Sequence, residues 1–132
     1  MNKGRNFSSP PSLGKRLWSV WSTLISFQKR VYGETWPRDP DMMTQKYVML
    51  LTKEAMEVLD HTSYKDHKPR IDFDNRAAAR KEEIADVVIY AMELAAVNFS
   101  SPEELIQEIE RKIGINEQRI NLISSRQQIP VQ

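Results

Sequence analysis

The chain has 132 residues, 40% of them hydrophobic and 28% charged, a balance that fits one soluble globular domain. Its 19 Lys and Arg against 18 Asp and Glu leave a net charge of +1, too little to hold nucleic acid or an anionic membrane by bulk charge. The absence of cysteine excludes disulfides, thiolate catalysis and Cys-ligated metals, and two histidines are too few for a His-rich centre.

No apolar run approaches the roughly 20 residues of a membrane span. The basic start MNKGRNFSSPPSLGKR leads into no hydrophobic signal segment. Neither GxGxxG nor GxxxxGK[ST] occurs, so the usual loop-based phosphate cradles are missing. The expectation is a cytoplasmic protein with no membrane and no nucleic-acid partner.

Residues 1–12, with Ser8, Ser9, Pro10, Pro11 and Ser12, read as a flexible arm, and 124–132 as a flexible tail. Between them, over 13–123, four helical segments are expected and no strand. The first covers Leu13–Tyr32, where Leu17, Val20, Trp21, Leu24, Ile25 and Phe27 recur at helical spacing. Gly33, Pro37 and Pro40 end it. The second covers about 41–61, with Asp41 as N-cap. The third covers about 74–98. The fourth opens on a strong start signal, with Ser101 as N-cap, Pro102 in the first turn and Glu104 closing a capping box, and runs to about residue 123. Four amphipathic helices with short links predict an all-α chain, a four-helix bundle-type subunit.

On the second helix Glu54 projects between Tyr47, Leu50, Leu51 and Val58, inside the apolar stripe, with Glu57 at its edge. A carboxylate facing a core is costly unless it is paired or binds a metal, so Glu54 is a salt-bridge partner, an exposed edge residue or a ligand. The third helix repeats the spacing with Glu83 and Asp86. There Glu82, Asp86 and Glu93 project opposite Val87, Val88, Ala91 and Ala95, as on a solvated face, although EEIADVVIYAMEL also embeds Asp86 in an apolar run. Carboxylates at i and i+3 on two helices make an oxygen-rich set suited to Mg²⁺ or Mn²⁺. A di-iron site would want Glu three residues before each His, where Val58 and Tyr64 stand instead.

On the fourth helix Lys112, Asn116 and Arg119 share one stripe whose ends lie roughly 10 Å apart along the axis. That length suits a run of phosphates, and equally an ordinary charged surface that would include Glu108.

LTKEAMEVLD followed by RKEEIADVVIYAMELA, and KIGINEQR further on, give E-x-x-E, E-x-x-D and K-x-x-x-N-x-x-R in order. This pattern resembles the all-α nucleoside triphosphate pyrophosphohydrolases, the superfamily of MazG-like enzymes and dimeric dUTPases, over roughly residues 24–119. The resemblance implies helical subunits assembled as a homodimer or homotetramer. It implies hydrolysis between the α- and β-phosphates of a nucleoside triphosphate, with Mg²⁺ (Mn²⁺ as substitute) on Glu54, Glu57, Glu83 and Asp86. Glu54 or Glu57 would take the proton of the attacking water, and Lys112, Asn116 and Arg119 would contact phosphates. SYKDHKP is similar to a W-K-x-W-K-like element of the dUTPase and dCTPase/dUTPase branch. That likeness adds Lys65 and Lys68 as phosphate contacts, although Tyr64 and His67 stand where aromatics are usual and a solvated loop is the plainer reading. Base contacts are expected from Phe27, Gln28 and Trp36, of which Phe27 and Trp36 serve equally well as core residues.

The leading expectation is a Mg²⁺-dependent pyrophosphohydrolase for dUTP or dCTP that controls a nucleotide pool. A house-cleaning hydrolase of modified nucleotides, a non-catalytic helical nucleotide- or partner-binding module, and a small nucleic-acid-binding bundle using the basic arm are the other readings.

Overall fold

The computed structural model describes residues 9–63 and 73–127, with side chains from Arg76 onward in the second stretch. Residues 1–8 of the expected arm, 128–132 of the expected tail, and Lys65 and Lys68 lie outside the described residues. Four helices are present in chain order, α1 (Leu13–Tyr32), α2 (Pro40–Leu59), α3 (Phe73–Asn98) and α4 (Pro102–Gln127), and no strand occurs among the described residues. The chain is all-α. None of these helices is by itself long and apolar enough to cross a membrane.

Local chemistry sets the helix ends. Ser12 Oγ accepts from the Lys15 N–H at 3.2 Å and starts α1. Gly33 stops it at φ 103, a backbone region that L side chains rarely adopt, with its N–H on the Lys29 carbonyl at 2.8 Å. The N-cap of α2 is Asp39 rather than Asp41: its side chain accepts from the Met42 N–H at 3.1 Å. Pro40 moves the start back two residues, because its missing N–H and fixed φ suit the first helical position. Asp41 then lies in the first turn, where it accepts from Gln45 at 2.9 Å.

At α4, Ser101 Oγ accepts from the Glu104 N–H at 3.2 Å as expected of the cap. Glu104 closes back on the Ser100 N–H at 2.9 Å and on the Ser100 hydroxyl, one residue before the cap. Those bonds hold its carboxyl below the ordinary range. The helix passes through Gly114 and ends at Gln127, four residues beyond the expected end.

The chain divides into two units, one through Asn98 and one from Phe99. In the first, α3 packs along α2 and against α1. Its core is Trp36, Tyr47 and Val97, with Ile25, Met43, Leu50 and Leu94 packed around them. Trp36 is brought in by the loop between α1 and α2, and its ring meets Tyr47 edge-on at 6.5 Å and 71°.

The second unit is α4 with its leading turn. Arg111 pairs with Glu108 at 2.5 Å, one turn apart. Ile106, Ile109, Ile113, Ile120 and Ile123 recur at steps of three, four, seven and three residues, and all are exposed. That spacing is the seam of a helix built to pack lengthwise on another.

Candidate active site

Helix α2 carries Glu54 and Glu57 one turn apart, and α3 runs beside it with Glu83. One carboxylate oxygen from each comes within 4.8 Å of the other two. Three like charges at that spacing cannot all ionise freely. Burial, a hydrogen bond with Glu57, and then the charges of Glu57, Asp86 and Glu83 raise the Glu54 carboxyl above its ordinary range. Glu83 Oε1 lies 3.8 Å from the His61 Nε2, while Glu83 Oε2 is buried without a hydrogen-bond partner among the described residues. An orphaned oxygen in an all-carboxylate cluster is what a hard divalent cation satisfies, so the residues fit Mg²⁺ or Mn²⁺. Asp86 is not one of the three grouped acids. It is exposed and lines the adjoining cleft.

That cleft, about 350 Å³, is lined by α1, α2 and α3. Glu54 and Asp86 border it. Gln28, Tyr47 and Glu93 form its buried floor, and Phe27, Tyr32 and Ile89 its exposed rim. Gln28, expected to meet a base, is 4% exposed and lines the cleft. Phe27 is 49% exposed, which removes it from the core and puts its ring on the rim. Trp36 is placed elsewhere: it is 6% exposed, belongs to the core and does not line the cleft. Lys46 stands over the Tyr32 ring at 4.2 Å, bringing a cation to the rim.

A chain of hydrogen bonds links the floor residues. The Trp36 indole N–H donates to the Tyr47 hydroxyl at 3.2 Å, Tyr47 donates to Gln28 Oε1 at 2.6 Å, and Gln28 Nε2 donates to Glu93 Oε1 at 2.8 Å. Burial pushes the Tyr47 hydroxyl up to about 12 against the lowering effect of Trp36. Burial also raises the Glu93 carboxyl, with the Gln28 bond pulling it back. Tyr90, on the same face, is raised by burial and then by the charges of Glu54, Glu93 and Asp86.

The expected solvated face of α3 does not hold for Glu93, which is 4% exposed. Asp86, Tyr90, Glu93 and Val97 fall at steps of four, three and four on one stripe that runs from the exposed Asp86 to the buried Glu93 and Val97. Tyr47 and Glu93 are the buried cleft residues that the helical projection did not single out. The signal for Glu93 was its apolar surroundings, MELAAV, on a helix whose acids otherwise lie N-terminal to it.

Lys112, Asn116 and Arg119 lie on α4, in the second unit, and all three are exposed. Glu108 pairs with Arg111 rather than with any of them. Comparison with family models, curated proteins and solved structures finds no match to this chain.

Proposed function

We propose that this chain is a Mg²⁺-dependent nucleoside triphosphate pyrophosphohydrolase that cleaves a pyrimidine deoxynucleotide, dUTP or dCTP, to the monophosphate and pyrophosphate. The observation that carries the reading is the three-carboxylate cluster of Glu54, Glu57 and Glu83 beside a cleft with a buried, hydrogen-bonding floor. The order of acidic pairs that resembles the pyrophosphohydrolase superfamily supports it. So does the size of the cleft, which is at the small-molecule end of binding cavities.

Glu54, Glu57 and Glu83 would hold the cation, with Asp86 adding negative charge at the cleft edge. Bound there, Mg²⁺ neutralises phosphate oxygens and acidifies water beside it. Glu54 or Glu57 would accept the proton of the attacking water. Gln28 faces the base, and Phe27 offers it a ring at the rim. The resemblance alone suggests Lys112, Asn116 and Arg119 for the phosphates. The exposed isoleucine stripe of α4 supports assembly as a homodimer or homotetramer, since a second copy would cover it.

The test is pyrophosphate release from a panel of dNTPs and NTPs with and without Mg²⁺. Metal-dependent release confined to dUTP or dCTP supports the reading. Silence across the panel from folded, metal-loaded protein overturns it in favour of a binding module.

Metal binding has its own signature in stability. With the Glu54 carboxyl raised, the folded state holds its proton more tightly than the unfolded chain. Its contribution to stability is therefore full at low pH and falls as pH rises through the folded value. A cation takes over from that proton. Mg²⁺ at roughly 100 times its Kd is expected to stabilise by about 2.7 kcal/mol. The rise in Tm should be clear near pH 7.5 and small near pH 5, where protons compete for the same oxygens. An equal rise at both pH values would mean that the ion binds elsewhere.

A further inference from the structure

The hydrogen-bond chain in the cleft floor has a direction. An indole N–H only donates, so the Tyr47 hydroxyl, accepting from Trp36 at 3.2 Å, has its own proton for Gln28 at 2.6 Å. Tyr47 therefore meets the carbonyl side of the Gln28 amide, and the amide nitrogen faces Glu93 at 2.8 Å. The two ends of the amide agree, Oε1 accepting from Tyr47 and Nε2 donating to the Glu93 carboxylate. Two hydrogen-bonding positions remain at the end of the chain. One is the second N–H of Gln28. The other is Glu93 Oε2, which is buried and has no partner among the described residues. Glu93 is only 4% exposed, lines the cleft, and is in no ion pair among the described residues. A buried acceptor left unmet is costly, and the cleft is where its donor can enter.

We propose that Glu93 and Gln28 determine specificity in this cleft by reading a planar ring edge that offers an N–H donor beside an acceptor, the donor meeting Glu93 Oε2 and the acceptor meeting the second N–H of Gln28. Two pyrimidine edges have this chemistry: the amine and N3 of cytosine, and the N3–H and O4 of uracil. The inference rests on the nucleotide reading only for what carries the ring. A ring without the donor leaves Glu93 Oε2 unpaired in the complex, and discrimination of this kind is strong.

The experiment uses the full chain and compares dCTP with its 2-pyrimidinone analogue, which lacks the amine, and dUTP with its N3-methyl analogue. Kinetics are read as pyrophosphate release. Binding of the corresponding nucleosides is read separately through tryptophan fluorescence. For whichever parent the cleft takes, loss of the donor is expected to raise KM or the nucleoside Kd by roughly 10- to 100-fold, with a smaller change in kcat. The responding pair tells an amine from a ring N–H.

Glu93→Gln keeps the shape but puts an amide in place of the acceptor. The preference for the donor-bearing ring should then collapse towards unity. An unmodified chain that handles donor-blocked rings as well as their parents overturns the proposal, and so does an unchanged preference in Glu93→Gln. Nucleosides that bind with the donor requirement in the absence of any hydrolysis would uphold this inference and remove the hydrolase reading. Hydrolysis without the requirement would do the reverse. Neither binding nor hydrolysis of either pyrimidine would overturn both.

Discussion

Glu54→Gln is expected to lower pyrophosphate release by about 10²- to 10⁴-fold while leaving the fold intact. The substitution keeps the length and shape of the side chain and removes its ability to take a proton. It also removes one of three carboxylates whose oxygens crowd within 4.8 Å. Repulsion from Glu57, Asp86 and Glu83 is part of what raises the Glu54 carboxyl, so the metal-free variant should melt at or above the temperature of the parent. Mg²⁺ should then stabilise the variant less than it stabilises the parent, because a ligand has been lost. Helix content by circular dichroism, thermal melting with and without Mg²⁺, and turnover are the three readings. A variant that fails to fold would make Glu54 a structural residue. A folded variant with undiminished turnover would move the proton acceptor elsewhere, with Glu57 the next residue to replace.

Trp36→Ala is expected to cost about 3–5 kcal/mol of stability, the range for removing a large aromatic from a core. Trp36 is 6% exposed and packs edge-on against Tyr47, itself 1% exposed. Its loss would leave a cavity and deprive the Tyr47 hydroxyl of its indole donor. Urea unfolding measures the effect directly. Trp36→Phe keeps most of the bulk and loses the N–H, so its cost should be nearer 1 kcal/mol. This separates packing from hydrogen bonding. A base-stacking role makes the opposite prediction, with stability nearly unchanged and KM raised. That outcome would return Trp36 to the cleft, where Phe27 now stands as the exposed ring.

The helices were legible because their signals are local. Apolar spacing marked α1 to its exact bounds, and Ser101 with Pro102 marked the start of α4. The one cap misplaced, Asp41 for Asp39, turned on Pro40, whose preference for the first helical position outweighs a carboxylate one residue inside it. Glu54 was also legible, because an acid within an apolar stripe is expensive wherever the chain folds, and this cost is visible before any tertiary contact is known. Glu57 and Glu83 were singled out by their spacing and by the resemblance, not by such a cost.

The floor of the cleft is a different matter. Gln28, Trp36, Tyr47 and Glu93 come from α1, a loop, α2 and α3, and their sequence separations of 11, 19 and 65 residues leave no periodic trace. Projection of α3 alone makes Glu93 a surface residue, because a helical wheel ranks faces by average polarity and cannot tell water from a polar cleft. By itself, then, the sequence determined the all-α class, the approximate helix bounds and the i, i+3 spacing of acids on α2 and on α3, each a matter of local periodicity and capping. Only the tertiary structure decided that Asp86 stands apart from the other three acids, that Trp36 is core while Phe27 is rim, and that a buried carboxylate ends a directed chain of hydrogen bonds. Those outcomes depend on which faces α1, α2 and α3 turn toward one another, a choice made by packing across the whole unit rather than by any one segment.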